Sequence, residues 1–109
     1  MKICIADEFT DAPGARYRTD GPKSGEEFFE DLLDSRFIQS LEAGESLIID
    51  FDGTWGYASS FISEAFGRLS KKHGKEKVTK NLVMISQEDP DLPSDVLDVV
   101  KNPFTEKNK

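Results

Sequence analysis

The sequence predicts an α/β fold: a small mixed sheet of about four strands with three helices and a β-α-β crossover at its centre. Three observations predict it. Short branched runs at Ile3-Cys4-Ile5, Leu47-Ile48-Ile49 and Asn81-Leu82-Val83-Met84-Ile85 are bounded by polar and turn-forming residues, as buried strands are. Between these runs, apolar residues recur at helical spacing. The central run ends in Asp50 and Asp52, turns through Gly53 and Gly56, and restarts at Ser59-Ser60-Phe61 as a helix.

In order along the chain, Lys2 to Ala6 reads as the first strand, and Asp7, Glu8, Asp11, Pro13 and Gly14 end it. The basic segment Arg16 to Gly25 holds a short second strand at Ala15 to Thr19. Ser24 and Glu27 have capping-box spacing, so a helix starts near Gly25 and buries Phe28, Phe29, Leu32, Leu33 and Phe37. Ala43-Gly44-Glu45 interrupts it ahead of the central strand. A helix from Ser60 to about His73 buries Phe61, Ile62, Ala65, Phe66 and Leu69, with Ser59 or Ser60 suited to cap its start. Lys71, Lys72 and His73 complement its dipole at the other end, where Gly74 stops it. Asn81 to Ile85 is the next strand, parallel and adjacent to the central one because a crossover joins them. Leu92, Val96, Val99 and Val100 then face inward from a last helix that ends at Pro103.

The 109 residues suffice for one domain, placed at 1–102 with a flexible tail over 103–109. Hydrophobic residues at 37% and charged residues at 32% describe a wet-surfaced globular protein. A formal charge of −7 argues against nucleic acid, whose phosphates need a basic face. The single Cys4 forms no internal disulfide and suits core or sheet packing. No stretch is long and apolar enough to cross a membrane, and no signal peptide follows Met1, so the expected compartment is the cytoplasm. Neither a metal site nor a cofactor is expected.

Function is expected at the carboxyl end of the central strand, beside a helix start. Asp50 and Asp52 are either turn formers or reactive carboxylates. Ser59 and Ser60 are either caps or a modifiable pair. Trp55 and Tyr57 either fold back onto the core or anchor a partner. Arg16 and Arg18 either pair with Asp20, Asp50 or Asp52, or present a fork for carboxylate or phosphate. A serine hydrolase lacks a base, since the only histidine, His73, stands more than three helical turns from Ser59, about 20 Å at the usual rise.

Asp50-Phe51-Asp52-Gly53-Thr54 after an apolar strand resembles the nucleophile motif of haloacid-dehalogenase-like phosphatases, and Ile85-Ser86 resembles their second motif. That resemblance implies a Mg²⁺-dependent phosphatase using Asp50 and Asp52. Only 23 residues follow Ser86, too few for the further strands that fold uses for its lysine and last acidic pair.

A second resemblance spans most of the chain. Arg16-Tyr17-Arg18-Thr19-Asp20-Gly21-Pro22-Lys23-Ser24-Gly25-Glu26-Glu27-Phe28, with Asp50-Phe51-Asp52-Gly53 and Gly56-Tyr57-Ala58-Ser59-Ser60-Phe61 through Glu64-Ala65-Phe66-Gly67, resembles the prokaryotic and phage STAS-like family of uncharacterised domains. It implies a relation to the STAS domains of anti-sigma-factor antagonists, in which a serine at a helix start is phosphorylated by a histidine-kinase-like ATPase. Aligning the strand aspartate on Asp50 puts that serine at Ser59. Ala58 and Phe61 stand where the antagonists have aspartate and glycine. The resemblance implies a non-enzymatic regulatory domain. Its phosphoacceptor would be Ser59, and its partner-binding residues Arg16, Arg18, Asp50, Asp52, Trp55, Tyr57 and Ser60.

Overall fold

The computed structural model describes residues 1–103. The expected tail therefore falls, from residue 104 on, outside the described residues. In order, the elements are β1 (Lys2–Cys4), a one-turn α1 (Ile5–Glu8), α2, β2 (Leu47–Asp50), α3 (Ser59–His73), α4 (Lys75–Asn81), β3 (Leu82–Ile85) and α5 (Leu92–Lys101). Helix α2 runs unbroken through Gly25–Phe28, a π-helical turn Phe29–Leu33, and Asp34–Ala43.

Among the described residues the sheet has three strands, ordered β1-β2-β3 and all parallel. The expectation of a mixed sheet of about four strands is corrected in both respects. Residues 15–19 form no strand, because their carbonyls serve helix starts instead. The Ala15 and Arg16 carbonyls accept from the Gly25 and Glu26 amides, at 2.9 and 3.0 Å, and a 3₁₀ turn follows at Arg18–Asp20. β1 also ends earlier than expected, at Cys4, where the Glu8 carboxylate accepts the Cys4 amide at 3.2 Å and closes the turn α1.

Ile3, Leu47, Ile49 and Leu82 face the helices and are buried with Phe51. On the opposite face Lys2, Ile48 and Val83 form one row and Cys4, Asp50 and Ile85 the next. That face is partly open, with Val83 46% exposed. Cys4 is accordingly half-buried rather than in the core.

Two expected helix starts are resolved differently. Ser24 caps α2, its Oγ accepting the Glu27 amide at 3.0 Å, while the Glu27 carboxylate reaches back to the Lys23 amide. At α3 the cap position is Ala58, so Ser59 and Ser60 are first-turn residues and not caps. The expected stripe on α3 is buried, and Ser63, Glu64, Gly67 and Ser70 are buried as well. This helix lies between α2 and α5, so it has little solvent face. Ser70 donates to the Val100 carbonyl at 2.5 Å, tying α3 to α5.

The crossover from β2 to β3 contains α4 in addition to α3. Helix α4 buries only Val78, which left no apolar stripe to read. With α1 it raises the helix count from three to five among the described residues. Helix α5 matches the expected inward set: Leu92, Val96 and Val100 are buried and Val99 packs half-buried on them.

Candidate functional site at the carboxyl end of the sheet

The parallel order puts the loop after β2 beside the loop after β3, and carboxylates lock the two together. Asp52 accepts the amides of Gln87 and Glu88 at 3.1 and 2.9 Å, and Glu88 returns one bond by accepting the Gly53 amide at 2.9 Å. Asp50 Oδ1 accepts the Asp52 amide at 3.0 Å, which tightens the turn, and its other oxygen lies 3.8 Å from Lys2 Nζ on the open sheet face. Both aspartates act as turn formers, and only Asp52 faces the crevice.

The two aromatics separate. Tyr57 folds back: its ring stands edge-on to Phe51 with centroids 5.4 Å apart, and its hydroxyl donates to the Phe51 carbonyl at 2.8 Å. Burial raises the pKa of that hydroxyl well above the ordinary phenol value. Trp55 is 88% exposed, although its amide is fixed on the Asp11 carbonyl at 2.8 Å. A large aromatic side chain held in water by an ordered main chain is a feature of recognition surfaces.

Around these residues lie two adjoining cavities. The first, of about 290 Å³, is lined by Asp52, Trp55, Tyr57, Ser86, Glu88 and Asp89 among others. The second, about 170 Å³, brings in exposed Ser59 with Ile62, Asp95 and Val99, and shares Tyr57, Asp89 and Leu92 with the first. Ser86 donates to the Asp89 carbonyl at 2.5 Å and so shapes the β3 loop. Asp89, Leu92 and Asp95 were not among the residues expected at the site from sequence. The adjacency of β2 and β3 was the signal that places their loop here.

The basic segment lies near this end, but its arginines choose other partners. The Pro13 carbonyl accepts the Ala58 amide at 3.1 Å, which docks the segment on the start of α3. Arg16 does not pair with Asp20, Asp50 or Asp52. Its Nη1 lies 3.4 Å from Glu64, a carboxylate 2% exposed on α3 that also holds Arg68. Arg18 is committed to Glu30 and Asp31 on α2, at 3.0 and 2.9 Å, and stands apart from the crevice. Ser60 and Arg16 line a separate shallow depression with Gly14, Ala15, Tyr17 and Asp20. Among the described residues no group of three histidine, cysteine or acidic side chains could hold a metal ion, and no helix is long and apolar enough to cross a membrane.

A family model, STAS-like domain of unknown function (DUF4325), matches residues 24–92. The chain belongs to that family. The matched span begins at the Ser24 cap and ends at Leu92 in the crevice, so it includes β2, α3, β3 and the whole loop pair of this STAS-like domain. No curated protein and no solved structure matches the chain.

Proposed function

We propose that this STAS-like domain is a non-enzymatic, cytoplasmic regulatory module. It docks a protein partner at the carboxyl end of its sheet, the partner being a histidine-kinase-like ATPase or another signalling protein. The observation that carries the reading is Trp55, exposed on an ordered loop at the mouth of a cavity whose other wall is the β3 loop. Binding energy at protein interfaces concentrates on such aromatics, each contributing about 2 kcal/mol or more.

In this reading Ser59 is the phosphoacceptor. It is exposed in the first turn of α3, and it lines the cavity adjoining Trp55. The amides of Phe61 and Ile62 already return to the Ala58 carbonyl, at 3.1 and 3.3 Å, so those of Ser59 and Ser60 lie outside the helix's own ladder. A phosphate at Ser59 would meet the positive end of α3 and change the docking surface at its edge.

The test is capture of partners from native lysate by wild-type and Trp55→Ala protein, with mass spectrometry of the eluate and of Ser59. A signalling protein retained by wild type and lost with Trp55→Ala supports the reading; identical eluates overturn it. A Mg²⁺-dependent phosphatase activity abolished by Asp50→Asn would overturn the non-enzymatic assignment.

A further inference from the structure

We infer that the groove beside Trp55 takes a cationic, amphipathic segment of the partner, with Lys or Arg side chains on its rim and apolar side chains on its floor. This rests on the docking reading above and adds the chemistry of the partner. The two cavities adjoin, sharing Tyr57, Asp89 and Leu92 in their walls, and together they make the groove beside Trp55. Its floor is apolar, with Phe51, Ile62 and Leu92 buried beneath it and Tyr57 and Val99 half-buried.

The rim carries one sign of charge. Asp52, Glu88, Asp89 and Asp95 line the groove, and among the described residues no lysine or arginine does. Elsewhere in the fold Glu8, Glu26, Glu30, Asp31, Asp34 and Glu64 hold ion pairs to arginine or lysine. Among the described residues none of the ion pairs reaches the four rim carboxylates. Asp52 and Glu88 accept backbone amides, which orients them without removing their charge.

A metal ion does not fit this arrangement, because no three of these groups converge on one point. Nucleic acid and anionic lipid would meet repulsion from the rim and from a chain of net charge −7. A segment with cations flanking an apolar stripe complements both the rim and the floor. The indole of Trp55 adds a face on which a guanidinium or ammonium can sit.

The experiment uses the full chain, isotope-labelled for NMR at near-physiological salt, and three synthetic peptides. One places leucine and lysine at helical spacing, one replaces its lysines by glutamate, and one scrambles the leucine–lysine order. Saturable shifts of the Trp55 indole and of the Leu92 and Val99 amides with the ordered lysine peptide are expected, with no shifts from the glutamate peptide. Trp55→Ala should weaken binding about thirtyfold, as loss of a central aromatic does. Asp89→Asn with Asp95→Asn should weaken it about fivefold, the scale of exposed charge pairs. Both positions are exposed, so the fold survives these changes.

Equal binding of ordered and scrambled peptides overturns the inference, since that is charge attraction without use of the floor. Preference for the glutamate peptide also overturns it, while leaving the docking reading intact. Absence of shifts with all three peptides overturns it as well. In that case the Trp55-dependent capture described above decides separately whether docking itself survives.

Discussion

Gly25, the first residue of α2, lies against Phe61 in α3 with no room for a side chain: a Cβ at Gly25 would stand 2.6 Å from the Phe61 carbonyl oxygen. The obstacle is backbone on both sides, so it cannot swing away. Gly25→Ala is therefore expected to destabilise the fold by about 2 kcal/mol, the usual cost of overpacking, despite alanine's better helix propensity. Urea unfolding measures it, and a variant as stable as wild type would mean that the two helix starts are not in contact.

Glu64, opposite the same junction, is held between Arg16 and Arg68, and Arg68 also approaches Glu26 and Glu30 at 3.6 and 3.7 Å. The hydrogen bond from Arg68 to Glu64 raises the Arg68 pKa first, and the neighbouring carboxylates add to it. Glu64→Gln keeps the shape and removes the buried charge that two half-exposed arginines share. The expected loss is about 2 kcal/mol, below the full cost of an isolated buried ion because both arginines can be rehydrated. Arg18→Ala, in an exposed pair, should leave the urea midpoint unchanged. Equal effects of the two variants would refute the distinction.

Where structure follows from periodicity, it was legible in the sequence. The stripes Phe28 to Phe37 and Phe61 to Leu69, the Ser24 cap and the parallel pairing of β2 with β3 depend on residues near one another in the chain. The fate of Asp11 to Arg16 depends on distant donors: the amides of Trp55, Ala58, Gly25 and Glu26 reach its carbonyls, and at Ala15 and Arg16 that competition replaces the start of the strand expected over Ala15 to Thr19. The same non-locality redirected Arg16 to Glu64, 48 residues away. In the candidate site, Asp52, Trp55, Tyr57 and Ser59 were foreseen and do gather along one groove. Asp50, Arg16, Arg18 and Ser60 were foreseen and do not. Neither Asp50's sheet face nor Arg18's proximity to α2 is encoded in a local pattern.

Asp34 gives the fold a pH dependence. Burial alone would raise its carboxyl, but hydrogen bonds from Lys72 at 2.5 Å and His73 at 2.7 Å outweigh burial and hold it below its ordinary 3.8. A carboxylate lowered on folding adds stability above its unfolded pKa, and that contribution is lost as pH falls through the still lower folded value. Asp34→Asn should therefore cost about 1 kcal/mol near neutral pH, the scale of a partly exposed pair, and the difference from wild type should vanish well below pH 3.8. A difference that persists in acid would assign the effect to packing.

At Ser59 two effects of phosphorylation oppose each other. Added negative charge beside Asp89 and Asp95 attracts a cationic partner, by at most about 1 kcal/mol at an exposed position. A hydrated dianion at the mouth of a cavity of about 170 Å³ also bars the apolar floor at Ile62, Leu92 and Val99, and losing one buried anchor costs about 2 kcal/mol or more. The steric and desolvation cost wins, so modification should weaken docking. Ser59→Asp, with a smaller group and a single charge, should lower the affinity for an identified partner several-fold, while Ser59→Ala, which leaves the floor open, should bind as wild type does. Calorimetry on both variants separates the effects: tighter binding by Ser59→Asp would show that charge attraction prevails and that the switch runs in the opposite sense.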